Sequence, residues 1–177
     1  MLPPQSTNFG FIGRIWPELL IHCRDAEQAA VSNPRVAGIE ARFVLERLVD
    51  HISEAYSLRT ARGWNLNDKL NHRSFKDRVN PQIHSKMNVL RRFGNDAAHS
   101  ADYIDPERAV RAIGQLFDVL SWAAVNVART PLNYNQLPAF DRSIVMNAPK
   151  QRNQTQRELT NLNCKLKEAI EEQNATK

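Results

Sequence analysis

Apolar residues recur along most of this chain at intervals of three and four and almost nowhere in alternation, a pattern that predicts helices and no strands. A first helix is expected from about Arg14 to Val31, with Ile15, Leu19, Cys23, Ala26 and Ala30 on one face and Pro17 in its first turn. Asn33-Pro34 then has the form of a cap followed by proline at the first helical position. The helix it opens carries Val36, Ile39 and Phe43, then Leu45, Leu48, Val49, Ile52 and Tyr56, expected as one amphipathic stripe about six turns long. Gly63, between Arg59 and Trp64, breaks the pattern, and a short helix is expected over Leu66 to Asn71 behind an Asn65 cap.

Asn80-Pro81 and Asp105-Pro106 repeat the cap–proline start. The first leads into Ile83, Met87 and Leu90. The second leads into Val110, Ile113, Phe117, Leu120, Ala124 and Val127, widened by Leu116 and Trp122, and so predicts a helix central to the core. Four longer helices between about residues 14 and 129 give an all-α bundle with enough apolar surface for a sizeable core. Pro131, Pro138 and Pro149, interspersed with asparagines, mark 130–151 as a connector. From Arg152 the chain turns helical and polar, with Leu159, Leu162, Leu166 and Ala169 at a/d-like spacing, although two heptads are too few to specify a coiled coil. The organisation expected is a helical domain over 1–129, a connector over 130–151, and a C-terminal helix over 152–177 that links or oligomerises.

The most informative stretch is Leu90-Arg91-Arg92-Phe93-Gly94-Asn95-Asp96-Ala97-Ala98-His99. Counting from Arg92, Asn95 is at i+3, Asp96 at i+4 and His99 at i+7, so an unbroken helix aligns them in one polar stripe. Arginine donates in a fork that matches phosphate, and histidine exchanges protons near neutral pH. Together they suit metal-free cleavage of RNA, with His99 moving protons and Arg92 or Arg91 stabilising the charge that develops on phosphate. Seven residues along a helix span about 10 Å, so one helix does not easily bring both groups to one phosphate, and such chemistry implies a homodimer. The same residues also fit a structural reading. Gly94-Asn95 can close a helix as its C-cap, with Asn95 and His99 hydrogen-bonded at the turn.

Charge sharpens the picture because it is uneven. The net charge is +5, but from Arg59 to Arg92 nine basic residues face only Asp68 and Asp77, which leaves −2 for the remainder. Arg59, Arg62, Lys69, Arg73, Lys76, Arg78 and Lys86 are therefore candidate contacts to nucleic acid, DNA or RNA. A solvated basic loop is the plainer alternative. His22, His51, His72 and His84 share no metal-ligand spacing, Cys23 and Cys164 stand far apart, and no glycine-rich phosphate loop occurs, so neither metal nor cofactor is expected. Glu40, Glu46 and Glu54 with Arg42 and Arg47 read as a solvated helix face. With 42% hydrophobic and 24% charged residues, no apolar run near 20 residues and no secretory leader at Met1-Leu2-Pro3-Pro4, the expectation is a cytoplasmic protein without membrane association.

At Arg91-Arg92-Phe93-Gly94-Asn95-Asp96-Ala97-Ala98-His99 the chain resembles the HEPN superfamily of helical domains. It is most similar to the branch with an Arg-Lys-x-Gly-Asn-x-Ala-x-His signature, found at the N-terminus of type I restriction enzyme R subunits and in other bacterial defence proteins. Trp16-Pro17-Glu18-Leu19, Ala26-Glu27, Ile39-Glu40-Ala41-Arg42 and Val44-Leu45-Glu46-Arg47-Leu48-Val49 extend the resemblance over about residues 9 to 129. It implies a HEPN-like bundle of four to five helices plus the C-terminal polar helix. It also implies an accessory module of a restriction-modification or phage-defence system that contacts nucleic acid or other restriction-complex subunits. Active members are metal-independent RNases with an Arg-x(4–6)-His motif across a dimer. Arg92 meets that spacing with six intervening residues, while Arg91, which aligns with the branch's own arginine, leaves seven.

Overall fold

The computed structural model describes residues 7–148, 158–163, 165, 166 and 170. Among these residues there are helices and no strands, so the fold is all-α. A 3-10 turn at Gly10–Arg14 leads into α1 (Pro17–Ala29) and α2 (Pro34–Ala55). Two short helices follow, α3 (Leu66–Asn71) and α4 (Arg73–Lys76), then α5 (Pro81–His99) and α6 (Pro106–Asn126).

The helix starts follow the expected chemistry. Pro34, Pro81 and Pro106 occupy first-turn positions where their missing N–H costs nothing, and Asn33, Asn80 and Asp105 accept the free amides of Val36, Gln82 and Glu107. Asn65 and Asp68 cap α3 reciprocally at 3.1 Å each way.

The long helix α2 is the spine, packed most extensively on α5 and α1, with α6 against α5 and α2. Its core side is Ala37, Gly38, Ala41, Val44, Leu45, Leu48, Val49 and Ile52. Here one expectation fails: Val36, Ile39 and Phe43 are 37%, 45% and 41% exposed and form a ridge on the outer surface of α2. The cause is the seam with α5, which takes the small residues. A Cβ on Gly38 would lie 2.5 Å from that of Ala97, so the α2 face carrying Gly38 and Ala41 turns inward and the bulky residues beside it turn out. The periodicity is the same; its phase is shifted toward the smaller side chains.

The core does not stop at residue 129. Residues 142–148 are helical, Val145 and Ala148 are buried, and Phe140 packs its ring 5.4 Å from that of Phe117. A buried polar knot holds this segment. The Asn8 side chain donates to Glu27 Oε1 at 2.8 Å and to the Asp141 carbonyl at 3.0 Å, and accepts from the Asp141 amide at 2.6 Å. The stretch 149–157, with Pro149 and Arg152, and also Cys164 and Ala169 lie outside the described residues. Leu159, Leu162 and Leu166 lie in helical backbone and are exposed.

Candidate nucleic-acid interface

α5 runs unbroken through Gly94 to His99, ending at Ser100 in extended conformation. The glycine is therefore not a cap. It is the point where α5 crosses α2: a Cβ at Gly94 would fall on the Cβ of Arg42, with Arg42 Cδ at 2.9 Å and Cγ at 3.0 Å. The helical register is kept, so Arg92, Asn95 and His99 share the outward face of α5. Arg92 and His99 are exposed and Asn95 is partly so. Among the described residues none of the three side chains has a hydrogen bond or an ion pair, and the turn-closing side-chain bonds of Asn95 and His99 do not form.

The two arginines separate by direction. Arg92 lies about 20° from His99 around the helix, Arg91 about 80°. Arg91 is half-buried, with its Nε enclosed and unbonded among the described residues. Arg92 is thus the free guanidinium on the side of His99. Their separation along the axis remains about 10 Å, too far for one phosphate.

Two residues that the sequence did not single out shape the stripe. Arg108, in the first turn of α6, pairs with Asp96 and lies over the Phe93 ring at 5.4 Å from its centroid. The pairing removes the one negative charge on this face from competition with a bound phosphate. Arg35, in the first turn of α2, donates to the carbonyls of Ala97 (2.8 Å), Ser100 (2.5 Å) and Asp102 (3.1 Å). The Ala97 carbonyl is one of those in the last turn of α5 that have no partner within the helix, and Ser100 and Asp102 follow it in the chain; a cation there is also favoured by the helix dipole. The clamp fixes the loop after His99, in which Tyr103 stands 85% exposed. A helix-terminal arginine spaced 62 residues from its acceptor leaves no local sequence signal.

The basic stretch divides in two. Lys69 is bound by Asp50 at 2.5 Å and Lys86 by Asp118 at 2.5 Å, which ties α3 to α2 and α5 to α6. Each of these two candidate contacts thus has its charge already matched within the fold. Arg59, Arg62, Arg73, Lys76 and Arg78 are exposed on the connector between α2 and α5. Of these, Arg73 approaches Asp77 at 3.7 Å and Arg78 lies over the Tyr56 ring at 5.6 Å.

The remaining histidines have local partners: His22 with Glu40 at 2.7 Å, His51 with Glu18 at 3.0 Å, His72 with Ser74 at 2.6 Å and His84 with the Leu70 carbonyl at 2.8 Å. No group of three or more His, Cys, Asp or Glu side chains among the described residues is arranged to hold a metal ion. No helix among them is long and apolar enough to cross a membrane. Cys23 is buried on the core side of α1, and burial together with the neighbouring Glu27 pushes its thiol far above the usual range.

Neither a curated protein nor a solved structure matches the chain. Residues 24–137, more than half of its length and inclusive of the whole α5 stripe, match DUF4145, described as a domain of unknown function, and the chain belongs to that family.

Proposed function

We propose that this chain is a helical module of a restriction-modification or phage-defence system, HEPN-like in type, that contacts nucleic acid and assembles with partner subunits, in the manner of the N-terminal part of a type I restriction R subunit. The observation that carries the nucleic-acid part is the outward face of α5, where the Arg92, Asn95 and His99 side chains have no partners among the described residues and the carboxylate of Asp96 on the same helix is paired with Arg108. Polar side chains that a fold leaves uncommitted on a rigid helix are available to a ligand, and this set suits phosphate and base edges. Arg59, Arg62, Arg73, Lys76 and Arg78 add a diffuse positive field. The restriction or defence context rests on the resemblance of the Arg91–His99 stretch. Binding of RNA and DNA to the chain at low salt, followed as salt is raised, tests the reading. A steep loss with salt is expected, and no binding of either polymer at low salt refutes it.

A second reading has its own support. Metal-independent RNA cleavage needs an unengaged histidine and an arginine at one phosphate, and both side chains are open here. A twofold axis passing near Asn95 would set Arg92 of one copy against His99 of the other and close the 10 Å gap. Val36, Ile39 and Phe43, exposed on α2, offer a second copy an apolar surface to cover. Incubation with structured RNA in EDTA, wild type against His99→Ala, decides whether the site cuts; identical traces remove the enzyme reading.

A further inference from the structure

A cleft of about 500 Å³ lies at the far end of α2 from His99, about 24 Å away along the helix. Arg14 at the end of the 3-10 turn and Trp16 just before α1 line it, with His51 and Glu54 from the last turns of α2 and Arg129 and Thr130 from the chain leaving α6. A smaller cleft of about 280 Å³ shares His51 and Glu54 and reaches Thr60 in the basic connector. The volume is that of a small-molecule site.

The charges in the cleft are unevenly spoken for. Glu18 is taken by His51 Nε2 at 3.0 Å. The guanidinium groups of Arg14 and Arg129 are exposed, and among the described residues neither has an ion pair or a hydrogen bond. Glu54 likewise has no such partner. The His51 ring lies nearly parallel to the Trp16 indole, with centroids 5.6 Å apart and 22° between the planes, so part of the wall is a flat aromatic layer.

Three features must be met at once. Two arginines ask for an anion that accepts in a fork, as a phosphate does. The aromatic layer asks for a flat ring. The free carboxylate of Glu54 asks for N–H donors, and a bare phosphate would leave it facing an anion. We infer that this cleft binds a free nucleoside monophosphate whose base carries an exocyclic amine, with phosphate at Arg14 and Arg129, base against the His51–Trp16 layer and the amine donating to Glu54.

The test is titration of the full chain with AMP, GMP, UMP and inorganic phosphate, followed by calorimetry and by the indole N–H resonance of Trp16. AMP and GMP are expected to bind and to shift that resonance, with UMP and phosphate at least about tenfold weaker. Joint substitution of Arg14→Ala and Arg129→Ala is expected to weaken AMP at least about tenfold. Both arginines are exposed and unpaired, so circular dichroism should be unchanged in that variant. Glu54→Gln should narrow the gap between AMP and UMP. Arg92→Ala, at the other end of the bundle, should leave AMP binding as it was. The inference is overturned by any of four results: no binding of AMP or GMP at millimolar concentration, phosphate binding as tightly as AMP, affinity that survives loss of both arginines, or affinity lost in Arg92→Ala. Preference for a 5′-phosphorylated trinucleotide over AMP also overturns it, because the ligand would then be a strand end.

Discussion

The backbone of Gly94 rests on the side-chain stem of Arg42, and this contact sets the distance between α5 and α2. The methyl group that Gly94→Ala adds would collide with a Cβ rooted in the α2 backbone, so the helices themselves must part. Overpacking of this kind costs about 1–3 kcal/mol, partly offset by the ~1 kcal/mol that alanine gains over glycine within a helix. A net loss of up to about 2 kcal/mol in urea unfolding is expected. Gly38→Ala meets Ala97 and Phe93 on the same seam and should cost a similar amount. The double variant should fall short of the sum, because one parting of the helices relieves both clashes.

Arg35 satisfies one carbonyl in the last turn of α5 and two in the loop after it with one guanidinium. Arg35→Met keeps much of the stem and removes the donors. Hydrogen bonds from a charged group are worth about 1.5–3 kcal/mol, and water will replace part of that at this half-buried site. A loss of about 1–2 kcal/mol is expected, with faster amide exchange concentrated in residues 97–102 and little change in α1.

These two contacts also mark what the sequence could and could not tell. Helix existence was legible because capping and periodicity are local: Asn33-Pro34, Asn80-Pro81 and Asp105-Pro106 all start helices as expected, and Met87, Leu90, Ile113 and Leu120 are buried as expected. The phase of α2 was not legible. Val36, Ile39 and Phe43 are as apolar as their buried neighbours, and the choice between faces was made by Gly38 fitting Ala97 across the seam. The role of Gly94 hinged on Arg42 across the same seam, since a glycine at a crossing and a glycine at a cap look alike in one chain. For the stripe, the residues and spacing were readable; the pairing of Asp96 with Arg108 was not, because the two meet only once α5 and α6 fold back on each other. Likewise Lys69 and Lys86 counted as free charges until Asp50 and Asp118 faced them.

The Cys23 thiol is buried beside Glu27 and is held protonated well above its ordinary pKa. In the folded chain it should resist thiol reagents at neutral pH and react only on unfolding, which can be read in a Cys164→Ser background. The raised value also has a consequence for stability. Above about pH 9 the unfolded thiol loses its proton while the folded one keeps it, so the folded state binds more protons and stability falls as pH rises. Wild type should lose stability between pH 9 and pH 10.5 more steeply than Cys23→Ala. Equal slopes would contradict the burial.

Charges on the connector should act on binding, and the paired lysines on folding. Arg59→Ala, Arg62→Ala and Lys76→Ala should each reduce the salt slope of nucleic-acid binding by about one unit at most, with unfolding midpoints unchanged. Lys86→Ala, which strands Asp118, should lower stability by about 0.5–1 kcal/mol, since the pair is partly exposed. Its effect on the salt slope should be small.

The central claim is that the open face of α5 contacts nucleic acid through Arg92, Asn95 and His99. It is tested most directly by fluorescence anisotropy with a labelled single-stranded RNA at low salt, comparing wild type with the Arg92→Ala/Asn95→Ala/His99→Ala triple variant. These side chains have no partners among the described residues, so the variant should fold with unchanged circular dichroism and unfolding midpoint. The account predicts affinity at least about tenfold weaker in the variant. Equal affinity in a folded variant would contradict it and leave the α5 face a solvated surface.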